Sequence, residues 1–406
     1  MHTQTFDSGV ARTRIADYLV ASGYWGDESL RRRHAYVLSP AVYMLSPEQE
    51  QSLSRLARYA YNAVKTLNGR LVHLATSGTH LSHDEARFVG LANAGSRSLY
   101  TPADGVTDIP PVLKVDLVQD AQGRFFIAEV DSYNPRGFGF AALLEESMPE
   151  LSLMRYPGMK GFAEHMSSTQ EWCVVVSEFE RYYEAPFRVL CNSLERHGKK
   201  MTILREHELG TGGQIPEGAG VLAIPESLNR YPVVREKLLA HHRQGTCAFL
   251  YPPVAYLGSK AFLPYLRSCI GMDEFIPPTV PVGKRHANTL PRPDVPAVLK
   301  ATVSSGMKGV YFSDIDGDGY TSALAKASAL KHSSWILQEQ VPQEALPIVV
   351  FEEDGTRVVR DYFLRITAYV RADGVVDAEI TGRPDRKVHG APDCIQIPVI
   401  LNRDST

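Results

Sequence analysis

The sequence offers little that would assign a partner or compartment at sight. Its 406 residues carry 43 basic and 46 acidic side chains, a formal charge of −3, so no field of one sign exists to draw nucleic acid or an anionic membrane. The five cysteines (Cys173, Cys191, Cys247, Cys269, Cys394) are odd in number, widely spaced and without any CxxC or Cys/His cluster. That excludes a zinc site of the usual spacing and fits a reducing compartment. The N-terminus lacks the basic-then-apolar pattern of a signal peptide, and no apolar run approaches the roughly 18 residues of a membrane span. A cytoplasmic protein is expected. What is present is 44% hydrophobic residues, enough for a large core divided among two or three domains.

Residues 10–70 show helical spacing, with Leu53, Leu56, Ala57, Ala60 and Val64 recurring behind the start signal Ser46-Pro47-Glu48. From 111 the pattern changes to short strands: "PVLKVDLV", a polar turn, then "FFIAEVD". Between about 170 and 272, strands alternate with helical stretches, which implies a parallel sheet covered on both faces. No glycine fingerprint for a dinucleotide accompanies it. The proline-rich stretch 276–296 reads as a linker, and a mostly β segment with one helix near 321–331 follows. The expected divisions are a helical region 1–105, a hairpin part 106–165, a Rossmann-like domain 166–275 and a final β part 276–406.

"AEVDSYNPRGFGF" (128–140) places Glu129 and Asp131 at the end of an apolar run. With an even-numbered turn, Asp116 shares their face, with Lys114 alongside, and Val115, Leu117, Phe126, Ala128 and Val130 supply the core face. Oxygen donors gathered in this way suit Mg²⁺ or Mn²⁺ rather than zinc. The bland alternative is the solvated side of an exposed ribbon. "AVLKATVSSGMKGVYF" is an apolar strand ending in Lys300, then a loop with Ser304, Ser305, Gly306, Lys308 and Gly309, then another strand. Small residues let backbone N–H groups approach phosphate, and the lysines supply charge. The setting is not that of a Walker A loop, and a plain glycine hairpin is the alternative. In "WILQEQVPQ" an apolar strand runs into Gln338, Glu339, Gln340 and Val341, whose backbone could read an adenine edge.

In this order the pieces resemble the ATP-grasp superfamily, in its circularly permuted branch of eukaryotic-type glutathione synthetases and glutathionylspermidine synthetases. There the metal-binding hairpin precedes the phosphate-binding lysine strand. The resemblance implies an α/β (α+β) fold: a helical N-terminal cap, a Rossmann-like parallel-sheet domain and a mostly antiparallel ATP-binding domain. By the same resemblance Asp116, Glu129 and Asp131 are the metal ligands. Lys260, Lys300, Ser304, Ser305, Gly306, Gly309, Gln338, Glu339 and Val341 contact ATP, and Arg365 and Lys308 act on the transferred phosphate. "NPRGFG" (134–139) resembles the continuation of the branch's metal motif, and "GRPDRKVHGAPD" sits at its substrate loop. Asp131 stands where the branch has Asn, and Lys114 where it has Arg.

The implied activity is an ATP-dependent ligation of a small carboxylate to an amine through an acylphosphate, with ATP and Mg²⁺ (or Mn²⁺) as cofactors and no nucleic-acid or membrane partner. A homodimer is compatible with it. The alternatives are a nucleotide-binding regulatory or scaffolding protein that has lost ligation, and an ATP-dependent phosphotransferase. "DIDGDG" (314–319) opens like a calcium loop but has Ala325 where a bidentate Glu is needed, so it reads as a turn and helix start. His241 and His242 read as a helix end.

Overall fold

A computed structural model describes residues 4–25, 37–77, 105–131, 137–164, 171–178, 183–223, 228, 231–252, 254–270, 273–284, 294–304, 306–330 and 334–402. The start signal at Ser46 opens its longest helix, Pro47–Thr76. Ser46 Oγ accepts from the Gln49 N–H at 3.2 Å, and Gln49 Oε1 accepts from the Ser46 N–H at 3.0 Å. With Pro47 in the first turn, this closes the orphan donors of the N-terminus. Leu53, Leu56, Ala57, Ala60, Val64, Leu67 and Leu71 form its buried stripe. Each fully buried Leu there contributes about 1.5–3 kcal/mol.

That stripe packs on one face of an eight-stranded sheet. Its strands are β1 (Gln4–Asp7), β2 (Ala41–Leu45), β3 (Leu113–Gln119), β4 (Phe125–Asp131), β13 (Leu346–Phe351), β14 (Arg357–Arg371), β15 (Gly374–Arg383) and β16 (Ile395–Leu401). The order is β1-β2-β16-β15-β14-β3-β4, with β13 pairing β14. Only the β16–β2 pairing is parallel. The N-terminal region holds its expected helices, here Arg12–Ala21 and Pro47–Thr76, but also contributes β1 and β2 to this sheet. Strands of four and five residues are too short for a period to emerge from the sequence.

A second sheet is parallel, ordered β6-β5-β7-β8, from β5 (Trp172–Val176), β6 (Met201–Arg205), β7 (Ala219–Ala223) and β8 (Cys247–Tyr251). All five residues of β5 are buried, as an inner strand covered on both faces requires. Between its strands lie the helices Glu184–Arg196 and Pro232–Arg243, the latter ending in His241, His242 and Arg243. A parallel sheet with helices between its strands is the Rossmann-like part of the expected fold.

The third sheet, β11-β10-β12-β9, consists of β9 (Thr279–Val282), β10 (Ala297–Ala301), β11 (Val310–Phe312) and β12 (Trp335–Glu339). Ala297, Leu299 and Leu337 turn to one side and pack with Ala323 and Ala327 of the helix Gly317–Ala329. The stretch 276–296 is therefore not merely a linker, since it contains β9. Pro281 is tolerated there because β9 is an edge strand. The other side of this small sheet faces β3, β4 and β14 across a cleft. No described helix is long and apolar enough to cross a membrane.

Candidate active site

The cleft between the eight-stranded and the small antiparallel sheet encloses roughly 750 Å³, part of it open to solvent. On its acidic wall the hairpin β3–β4 sets the geometry. The turn 120–124 is odd-numbered, not even, and Asp120 closes it by accepting from the Gln122 and Arg124 N–H groups at 3.0 and 2.9 Å. Such a turn alone would pair Asp116 with Ala128 and send Glu129 to the other face. A bulge at Ala128 restores the phase, so Asp116 lies directly opposite Glu129, and Lys114 opposite Asp131. The core face accordingly holds Val115, Leu117, Phe125, Ile127 and Val130. The expected places of Phe126 and Ala128 in that core are corrected, and Ala128 lines the cleft instead.

Asp116 is 5% exposed and accepts from Thr367 Oγ1 at 2.8 Å, with Arg365 3.5 Å and Lys114 3.8 Å away. Burial opposes its charge, but Arg365, Lys114 and the Thr367 hydrogen bond outweigh that, and its carboxyl titrates below the usual range. Lys114 is half-buried, and Asp116 and Asp131 hold its pKa above the usual value against that desolvation. Asp131 lies 3.6 Å from Lys114, and Glu129 lies 3.0 Å from Lys260.

The basic wall centres on Lys300 at the end of β10. Its ammonium donates across the cleft to the Ala128 carbonyl at 3.0 Å and to Gln338 Oε1 at 2.6 Å. Burial, aided by neighbouring Lys260, lowers its pKa to about 8 against the pull of Glu129. Lys260 also donates to the Ser304 carbonyl at 2.7 Å, tying the start of the glycine turn to the acidic hairpin. Ser305 lies outside the described residues, as does 134–136 of "NPRGFG". Gly306 and Gly309 both have positive φ (60° and 69°), and a Cβ on Gly309 would meet the Ala301 Cβ at 2.8 Å. Between them Met307, at φ 61°, lines the cleft, whereas Lys308 is exposed and does not. Gln338, Glu339 and Val341 line the cleft at the end of β12, and the Val341 N–H makes no hydrogen bond among the described residues. Arg365 lines it from β14, its Nε buried and without a hydrogen bond among the described residues.

No three His, Cys, Asp or Glu side chains among the described residues cluster closely enough to hold a metal ion by themselves. Two facing carboxylates are nevertheless the protein share usual for Mg²⁺, which takes its remaining oxygens from phosphate and water. Asp116 and Glu129, which face each other across the hairpin, fit that pattern, although Glu129 is paired with Lys260 as Asp131 is with Lys114. The "DIDGDG" turn is used otherwise: Asp314 and Asp316 pair with Arg386 and Lys387 of the loop after β15. Cys173, Cys191 and Cys247 have thiols pushed up by burial to about 12, 12 and 11, which keeps them protonated.

Across 97% of its length the chain superimposes, with a TM-score of 0.50, on 98% of a glutathione synthetase-like effector from Globodera pallida, at 11% identity. The two share a fold. That agrees with the mixed α/β fold expected from the sequence. A candidate gamma-glutamylcysteine synthetase from Methylobacillus flagellatus aligns over 83% of this chain and 87% of its own, with 13% identity and a TM-score of 0.40. No protein-family model and no curated protein matches the sequence. Sequence reasoning missed three contributors to the site: the bulge carbonyl of Ala128, Thr367 behind Asp116, and Thr279 behind Gln338. Each acts through a partner distant in the chain. Only the alternation of polar residues in "RITAY" could have marked Thr367 as facing the cleft.

Proposed function

We propose that the protein is an ATP-dependent carboxylate–amine ligase of the circularly permuted ATP-grasp kind. The observation that carries this reading is the Lys300 bridge: the lysine strand of one sheet meets the carboxylate hairpin of the other at Ala128, next to Glu129. A triphosphate lying in the cleft would have Lys300, Lys260 and Arg365 around its oxygens, with the adenine against Glu339 and Val341. Asp116 and Glu129 would hold Mg²⁺, which when bound supplies charge neutralisation to the phosphates. Asp131 joins them only if its pair with Lys114 opens. Lys308, exposed on the turn between Gly306 and Gly309, reaches phosphate only if that turn folds over the cleft.

In the reaction a substrate carboxylate oxygen attacks the γ-phosphorus, the bond to the β-phosphate oxygen breaks and ADP leaves. The amine nitrogen then attacks the acyl carbon, loses a proton and expels inorganic phosphate. The protein's share is alignment, charge compensation and exclusion of water by the glycine turn.

A second reading, a nucleotide-binding protein that does not ligate, is favoured by one feature. Glu129 is already paired with Lys260, and Asp116 and Asp131 both lie near Lys114. Measuring ADP and phosphate release against panels of carboxylic acids, amino acids and polyamines separates the readings. Release that requires both an acid and an amine supports ligation. ATP binding with no turnover on any pair favours the second reading, and absence of ATP binding removes both.

A further inference from the structure

Gln338 was expected at the adenine hinge, yet both ends of its side chain are committed elsewhere. It is 4% exposed on β12, beside Lys300. Thr279 donates its hydroxyl hydrogen to the Pro277 carbonyl at 2.6 Å, so what it offers Gln338 is a lone pair. The atom of Gln338 lying 3.0 Å from Thr279 Oγ1 must therefore be the donor, Nε2, and the one facing Lys300 must be the acceptor, Oε1. A one-way relay results, from the Lys300 ammonium to Gln338, then to Thr279, then to the backbone.

Both acceptors of Lys300 among the described residues, the Ala128 carbonyl and the Gln338 carboxamide, are neutral. They fix two of its three N–H bonds without cancelling its charge. A carboxylate at 338 would satisfy the same hydrogen bond but neutralise the lysine and face an acceptor at Thr279. We propose that Gln338 is a positioning residue that holds Lys300 through a neutral acceptor, so that its charge stays available to the phosphates of a nucleotide in the cleft, with Thr279 fixing the amide's orientation. This rests on the reading of the cleft as an ATP site.

The test is nucleotide affinity by competition against a fluorescent ATP analogue, alongside thermal unfolding, in wild type, Lys300→Ala, Gln338→Glu, Thr279→Val and Thr279→Ser. The expected result for Gln338→Glu is at least a tenfold loss of ATP affinity, unchanged adenosine affinity and an unfolding temperature equal to or above wild type. Thr279→Val should lose severalfold and Thr279→Ser recover it, which keeps the test open if Gln338→Glu does not fold. An equal loss for ATP and adenosine in Gln338→Glu would overturn the inference, making Gln338 an adenine contact. So would wild-type ATP affinity in both Gln338→Glu and Thr279→Val while Lys300→Ala loses binding. If wild type binds no ATP, or Lys300→Ala binds as wild type does, the ATP reading itself fails.

Discussion

The two walls of the cleft hold their charges by different means. On the eight-stranded sheet Asp116 and Glu129 are located by strand register, and the reverse face of the same strands belongs to the large core that also takes in the helix Pro47–Thr76. On the small sheet the core is six buried side chains, and Lys300 is located by individual acceptors: a bulge carbonyl and a carboxamide. Register is shared by many residues and shifts only as a whole, whereas a single acceptor can be removed while the strand persists. Damage to what locates the charges should therefore appear as lost stability on the first wall and as lost binding on the second.

The largest effect expected tests that division directly. Lys300→Ala should reduce acid- and amine-dependent ADP release by about two orders of magnitude or more, the scale of removing one preorganised charge-stabilising donor. Its unfolding temperature should not fall, because the substitution removes a buried cation whose burial costs free energy. Glu129→Gln should have a similar effect on turnover with the fold intact. Activity persisting in either variant would remove that residue from the mechanism. Leu56→Ala is the converse. It should cost about 2–5 kcal/mol in denaturant unfolding through the cavity left under the sheet. ATP affinity of the folded protein should stay at the wild-type level, and a parallel loss of affinity would break the division.

A sharper contrast comes from pH. Glu379 and Asp377 of the first wall are raised by burial to about 7 and about 6, although Tyr369 donates to Glu379 and Arg155 pairs with Asp377. In the unfolded chain both ionise near the ordinary carboxyl range of about 4. Between these limits the folded state holds more protons, so stability falls as pH rises from about 4 through 7. Glu379→Gln should flatten that slope in unfolding measurements. The second wall responds in affinity. Lys300 titrates at about 8, and an anion beside it favours the protonated form, so ATP affinity should be constant below pH 8 and decline above it. An affinity flat from pH 7 to 9.5 would mean that Lys300 does not meet the phosphates.

The same contrast explains how much was legible in the sequence. Apolar runs ending in a charge, such as "AVLK" and "FFIAEVD", revealed the strands and the candidate residues, because burial on one face leaves a local pattern. That Asp116 shares a face with Glu129 and Asp131 was expected on an even-numbered turn. The chain instead uses an odd turn and one bulge, whose phase changes cancel for the carboxylates but not for Phe126 and Ala128. A bulge at an alanine has no residue signature. Gln338 stood in the right stretch, but its partners Lys300 and Thr279 lie 38 and 59 residues away, and such distances leave no trace in local spacing.

The smallest effect concerns the contact joining the two walls. Arg386, after β15, meets Asp314, after β11, at 2.5 Å, and Lys387 pairs with Asp316 beside it. Arg386 also lines the cleft, so the pairs span its mouth from the large sheet to the small one. Partly exposed pairs contribute about 0–1 kcal/mol each. Arg386→Asp should therefore speed nucleotide dissociation only two- to fivefold in low salt, measured by stopped-flow displacement, and the difference should vanish at high ionic strength. Combining it with Asp314→Arg should restore the slower rate, since the swap rebuilds the pair in reverse. A swap that dissociates as fast as the single variant would show that Arg386 acts on the nucleotide directly rather than by clasping one wall to the other.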